Sequence, residues 1–448
     1  MSVRQLHLML LLRPGGYHRA AWRAPDSPVD RATTLAPYLQ LARAAEDARF
    51  DAVFMADAVS LYADPWDHLD QPLEPLTVLS ALAPLTEAIG LVATVSTTYY
   101  EPYNLARLLA SLDHLSGGRA GWNVVTTADP RSAGNFGAAP HPDHAVRYRR
   151  AAEFVAVLRA LWDSWDDDAA VVDRAAGELT RASRIHPADH HGAFFDVAGP
   201  LNVPRPPQGH PVLAHAGQSR DGLAVAPGYA EVLFAVQHDL DTARAFHADI
   251  GRRVAAAGRD PRELAVLPGL FAVVGGTEQE ARRKAAELRE LDGGSGALAD
   301  ELSALLGVDL SARAPDDLVH ADEIAAPETL LGPQSWYGLL HRRLTERPTT
   351  VARLLDHHAR VGRSGHLQLV GTPEQIADEI ERWFTGRACD GFVLQPTTVP
   401  GSVTDFTTEV VPLLRRRGLF RNDYDGTTLR DHLGLPRPAD RAGRGAAR

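Results

Sequence analysis

Polar side chains close several apolar runs of this chain, and their spacing gives the first indication of chemistry. The run Phe50-Asp-Ala-Val-Phe-Met-Ala-Asp57 ends in a carboxylate. A period of two places Val53, Met55 and Asp57 on one face and Ala52, Phe54 and Ala56 on the other. Asp57 then stands at the open end of a strand, either facing a ligand or capping the loop that follows. The run from Gly90 puts Val92, Thr94 and Ser96 on one face, so hydroxyls gather near its end. Slim polar groups suit a flat ring lying across them, although Thr is also an ordinary strand residue. In Gly121-Trp122-Asn123-Val124-Val125-Thr126-Thr127 a carboxamide sits inside an apolar strand. Its donor and acceptor both need partners, from neighbouring backbone or from a heteroaromatic edge of alternating carbonyl and N–H groups.

Two further segments have the makings of an anion site. Gly217-Gln218-Ser219 closes another apolar run just where a helix should begin, and the exposed N–H groups and positive dipole end of such a turn attract phosphate. A plain Ser N-cap is the alternative. Asp221 in the first turn repels an anion unless it faces solvent, and Pro227 must end or kink the helix early. His144 and Tyr148, four residues apart, share one face of a predicted helix. Both can donate to phosphate oxygens with Arg147 or Arg149 in reach, or they simply open a surface helix.

Other tempting features carry less. His186-Pro-Ala-Asp-His190-His191 lacks the spacing that puts two ligands on one helix face, so no metal is expected there. His357 and His358 are adjacent and cannot share a helix face. Asp166-Asp167-Asp168 reads as a solvated loop. There is no Gly-x-Ser-x-Gly elbow, no phosphate loop ending in Lys-Ser/Thr and no evident carboxylate pair, so hydrolytic chemistry has little support and no side chain stands out as acid, base or nucleophile.

The elements that must position these groups follow from the alternation of apolar runs with helical stretches. Runs at 6–12, 50–57, 89–97, 119–127, 212–219, 231–236, 264–274 and 391–397 are the predicted strands, with amphipathic helices at 36–48, 104–115 and 147–162. Eight parallel strands point to a closed (β/α)₈ TIM barrel rather than an open sheet, and ligands of such barrels lie at the C-terminal strand ends. Segments 164–211 and 292–364 break the alternation and read as insertions on a single domain spanning 1–435, followed by a loose Pro, Gly, Ala and Arg tail at 436–448.

Across 448 residues, 45% hydrophobic and 23% charged side chains describe an ordinary globular protein. A net charge of −11 offers no basic footprint for nucleic acid. Cys389 is the only cysteine, which rules out an internal disulfide or a thiolate cluster and fits a reducing cytoplasm. The apolar run 6–12 lacks a cleavage site, and no stretch is long and apolar enough to span a bilayer.

At this point a resemblance becomes specific. Ala93-Thr-Val-Ser-Thr-Thr-Tyr-Tyr-Glu-Pro-Tyr-Asn-Leu-Ala-Arg107 and Ser111-Leu-Asp-His-Leu-Ser-Gly-Gly-Arg-Ala-Gly-Trp-Asn-Val-Val-Thr126 form a long run similar to the bacterial-luciferase-like flavin monooxygenases. Within that family the sequence resembles the branch acting on nitrilotriacetate, EDTA, dibenzothiophene sulfone and dimethyl sulfide. Phe50–Asp57, Gly199-Pro-Leu-Asn-Val-Pro-Arg205, Ala216-Gly-Gln-Ser219, Gly371-Thr-Pro-Glu-Gln375 and Arg417-Gly-Leu-Phe420 extend the likeness almost end to end.

The resemblance implies FMN, bound as FMNH₂, at the barrel mouth. It also implies a separate NAD(P)H:flavin reductase, a small organic substrate, O₂ and a homo-oligomer. Reduced flavin would react with O₂ to a hydroperoxide and pass one oxygen atom to the substrate. Family positions fall on Asp57 and Thr94 near the ring or its loop and on His144, Tyr148 and Ser219 near the phosphate; Asn123, Gly217 and Gln218 complete the candidate set. Thr127 stands where many members carry Ser, and Leu223 where Arg is common, with the Arg-rich stretch around Tyr148 as a substitute. The rival readings are deazaflavin- or FMN-dependent hydride transfer on the same barrel, a non-catalytic flavin-binding protein, and a hydrolytic or isomerising barrel.

Overall fold

The computed structural model describes residues 4–61, 72–138, 140–292, 294–326, 335–361 and 365–440. Eight parallel strands close into a barrel: β1 (His7–Leu11), β2 (Ala52–Met55), β3 (Gly90–Ser96), β4 (Ala120–Val125), β5 (Val212–Ala216), β6 (Val232–Ala235), β7 (Ala265–Val274) and β8 (Gly391–Leu394). Every neighbour pair is parallel, and β8 returns to β1 in the register His7 opposite Gly391. Each strand lies within its predicted run. The reason is that barrel strands are buried on both faces and so read as short, nearly continuous apolar segments. A further strand, Leu367–Gly371, was not predicted; it pairs with the second half of the ten-residue β7.

The alternation within each strand sorts side chains into two cores. Leu8, Val53, Ala93, Trp122 and Leu213 point outward against the helices. Met9, Phe54, Val92, Ala214 and Leu267 point inward. The surrounding helices include α1 (Leu35–Asp47), α2 (Pro75–Leu82), α3 (Pro102–Leu115), α4 (His144–Trp162) and α5 (Arg220–Val225). α4 begins three residues before its predicted start, so His144 itself opens the helix. As Pro227 requires, α5 gives way after Val225 to a single 3₁₀ turn.

The base of the barrel is closed by the chain's own end. Leu429, Leu433 and Leu435 join the inward core, and Leu429 Cδ1 approaches so near that a Cβ on Gly90 would lie 2.5 Å from it. Arg430 secures this plug through Glu231 at 2.7 Å and the His210 carbonyl at 2.9 Å.

Segment 164–211 carries two short hairpins. Asp166-Asp167-Asp168 is only in part the solvated run expected: Asp167 and Asp168 are exposed, but Asp166 is buried against His186 at 3.1 Å, and Asp167 is gripped by Arg437 with both bonds at 2.6 Å. The cause is long-range packing, invisible in a local charge count. Arg437 and Pro438, whose carbonyl accepts from Arg205 at 2.8 Å, hold the first residues of the predicted tail to this insertion; residues 441–448 lie outside those described. His190 turns to Glu153 and His191 to Asp196. The second insertion folds into helices Gly294–Leu306, Ser335–Glu346 and Val351–Val361 with a core of its own around Leu302, Tyr337 and Leu354.

Candidate functional site

At the C-terminal ends of β2 to β5 the structure opens a cavity of about 690 Å³. Its size falls in the usual range for small-molecule sites, roughly 300–1,000 Å³. Six of the eight candidate residues line it: Asp57, His144, Tyr148, Gly217, Gln218 and Ser219. The other two, Thr94 and Asn123, sit opposite each other one inward position below Ser96 and Val125, which do line it.

Thr94 and Asn123 are tied together, the Asn123 Nδ2 donating to Thr94 Oγ1 at 2.9 Å. Asn123 Oδ1 is buried and meets no donor. A buried carbonyl without a donor is costly, so this acceptor is suited to an N–H of a bound ring. Above it Thr127 Oγ1 donates to Ser96 Oγ at 2.6 Å, from a backbone held at φ 50°.

The opposite end of the cavity is built from two helix starts. Ser219 caps α5 by accepting from Gly222 N at 3.2 Å, and its hydroxyl also lies 3.2 Å from Tyr148 OH across on α4. The plain cap and the anion turn are thus compatible in one residue. Gly217 just before it has φ 118°, a region only glycine enters readily, and no atom lies within 4 Å of where its Cβ would be. The rings of His144 and Tyr148 lie side by side, tilted by 55° with their centroids 4.8 Å apart. Two positive dipole ends and two hydroxyls therefore converge here.

Two residues take roles the sequence did not foresee. Asp221 neither faces solvent alone nor opposes an anion unaided, since its Oδ2 binds His144 Nδ1 at 2.7 Å. Gln218 is turned away from ligand chemistry at its side chain: Nε2 donates to the Val236 carbonyl at 2.8 Å, and Oε1 accepts from Gln237 at 2.7 Å. Its amide fastens the turn to the end of β6.

Electrostatics distinguishes the two ends. Burial, with the Glu74 carboxylate adding to it, pushes Asp57 up to about 6. His215, on the outer face of β5, bonds Tyr229 OH at 2.9 Å and is held by burial down at about 4, so it lines the cavity as a neutral ring. Sequence reasoning passed over His215 because its parity is that of the helix-facing set. It also passed over Asp129, Ser132 and His141, which form the outer wall after β4, since loop residues there follow no period. Ser60 donates to Asp129 at 2.9 Å, and Tyr99 OH meets His141 Nδ1 at 2.6 Å. Among the described residues no cluster of His, Cys, Asp and Glu is arranged to hold a metal ion, and no helix is long and apolar enough to cross a membrane.

Comparison with known proteins places this arrangement. A family model described as luciferase-like monooxygenase matches residues 15–390. N-acetyl-S-(2-succino)cysteine monooxygenase of Bacillus subtilis (strain 168) is 42% identical, over 98% of both chains. Nitrilotriacetate monooxygenase component A of Aminobacter aminovorans is 42% identical over 97% of both. Among solved structures, a riboflavin lyase with modified FMN and riboflavin superposes with a TM-score of 0.84 at 33% identity, covering 98% of this chain and 99% of its own.

Proposed function

Because the chain belongs to the luciferase-like monooxygenase family and is a flavin-dependent monooxygenase, we propose that its flavin is reduced FMN, held in the cavity at the ends of β2 to β5. Reduced flavin supplies the activation of O₂, one atom going to a small organic substrate and the other leaving as water. The protein's part is to hold the phosphate, orient the ring and exclude water.

The observation that carries this reading is the convergence of Ser219, Tyr148 and His144 at one end of a cavity, with the unpaired Asn123 carbonyl one position beneath the strand residues that line it. We assign the phosphate to that polar end, the ring to the floor above Thr94 and Asn123, and to Asp57 the rim beside the ring. Gly217 opens room for close backbone approach, and Gln218 positions the turn. The name of the Aminobacter relative, a component A, supports a separate reductase as partner. The insertions near 164–211 and 292–364 on this single barrel are the segments we assign to substrate choice.

The test is anaerobic titration with FMN and FMNH₂, followed by O₂ labelled with ¹⁸O, a coupled reductase and a panel of candidate substrates. Tight FMNH₂ binding and one labelled atom in the product are expected. Flavin binding without labelled product would turn the reading toward hydride transfer, for which barrel likeness alone gives no support, or toward a non-catalytic flavin carrier.

A further inference from the structure

The mouth of the barrel continues past the wall of the cavity. Phe234, an inward residue of β6, stands beside Ala216, which lines the cavity, and stays partly exposed although Val232 beneath it is buried. The ring of His366, carried just ahead of the strand Leu367–Gly371, stacks on Phe234 with centroids 5.1 Å apart and planes 18° apart. His238 holds that segment in place, its Nδ1 bonding the Gly365 carbonyl at 3.2 Å. Gln395 follows β8 directly, on the inward parity of Val393. Between the two side chains lies Gly269 of β7. A Cβ there would come within 2.3 Å of Gln395 Nε2 and 2.5 Å of His366 Nδ1, so the pair fills the place of a third side chain.

Both side chains are more than nine-tenths buried, and these two atoms meet no hydrogen-bond partner among the described residues. Burial holds His366 down at about 3, against a hydrogen bond from its ring to the Ala235 backbone, so the ring is neutral. A neutral imidazole that donates through one nitrogen accepts through the other. Nδ1 therefore offers a lone pair, and Gln395 Nε2 offers N–H. Around them the wall is aromatic, with Phe54 edge-on to Phe234 and Phe271 beside His366. An acceptor and a donor left open side by side in such a wall are costly until a ligand brings the complementary pair. A carboxylate does not bring it, since it has acceptors only and would face the imidazole lone pair.

We infer that His366 and Gln395 are the substrate-recognition pair of this monooxygenase and that they read an amide on an otherwise apolar or aromatic compound, its N–H donating to His366 and its carbonyl accepting from Gln395. The inference rests on the flavin reading above, which puts the substrate at this mouth. The two roles are separable: His366 tells an amide from a ketone, and Gln395 holds the carbonyl of both.

The experiment titrates benzamide, acetophenone and benzoate calorimetrically into the full chain loaded with FMN, in the native protein and in His366→Phe and Gln395→Leu, with FMN affinity measured for each. The native protein should bind benzamide about 2- to 10-fold tighter than acetophenone, the size of one net hydrogen bond, and benzoate weakest of the three. His366→Phe should bring benzamide down to the level of acetophenone. Gln395→Leu should weaken amide and ketone by a similar factor. Both variants should keep FMN affinity within about twofold. A pair that only packs the barrel would move all three probes together or none of them, and either result overturns the inference. So does a native protein that prefers benzoate, or one that ignores benzamide at millimolar concentration. A loss of FMN affinity in the variants overturns it too, since the pair would then touch the flavin. Where His366→Phe does not fold, Gln395→Leu decides by whether amide and ketone weaken while benzoate holds. A native protein that binds no FMN removes the functional reading itself; one that binds FMN without preferring the amide removes only this inference.

Discussion

Asp57→Asn isolates one electrostatic cost that the fold accepts at the rim of its cavity. The ordinary carboxyl of 3.8 rises to about 6, burial acting first and the Glu74 carboxylate second. The sign follows from proton binding. Below about pH 4 the carboxyl is protonated in both folded and unfolded chains and nothing is lost. As pH rises from there to about 6, the unfolded chain ionises and the folded one does not, so stability falls. Above about pH 6 the full cost of roughly 3 kcal/mol is present. Asparagine keeps the shape and cannot ionise. Asp57→Asn should therefore be about 3 kcal/mol more stable than the native protein near pH 8, and the gain should shrink to nothing near pH 4. Urea unfolding followed by tryptophan fluorescence across that range reads it directly. A difference that stays constant with pH, or grows as pH falls, would refute the reasoning. Glu74→Gln should recover a smaller part of the same gain.

Three other outcomes follow from the geometry. Asn123→Leu removes a buried carbonyl that has no donor, so unfolding midpoints should hold or rise while FMN affinity drops about tenfold, the size of one lost hydrogen bond; urea unfolding checks the first and calorimetric titration the second. Arg430→Met leaves Glu231 buried without its partner at the barrel base and should cost about 3–5 kcal/mol, with Glu231→Gln added to it restoring part of the loss. Gly90→Ala places a methyl 2.5 Å from Leu429 Cδ1 and 2.9 Å from the Asp51 carbonyl, so the plug must shift; a loss of about 1–3 kcal/mol is expected, seen as a lower melting temperature.

Strand number, strand order and the position of the mouth were legible in the residues because each barrel strand is a local apolar run with a period of two, and a closed parallel barrel has one place for ligands. His144 beside Tyr148 is equally local, since it follows from a single helical turn; that Thr94 meets Asn123 depends on the register of two neighbouring strands, which parity within each strand does not fix. What tertiary structure decided is everything set by partners distant in sequence. No pattern around Leu429, Leu433 and Leu435 says that they close the base of the barrel, or that Arg437 clasps Asp167. Composition could not tell that Asp221 is taken by His144, that Gln218 is drawn into the end of β6, or that His366 and Gln395 meet over Gly269. A residue's type and spacing fix the surface it presents along its own element; the charge or cavity that surface meets depends on how the elements are brought together, and that arises only when the barrel closes.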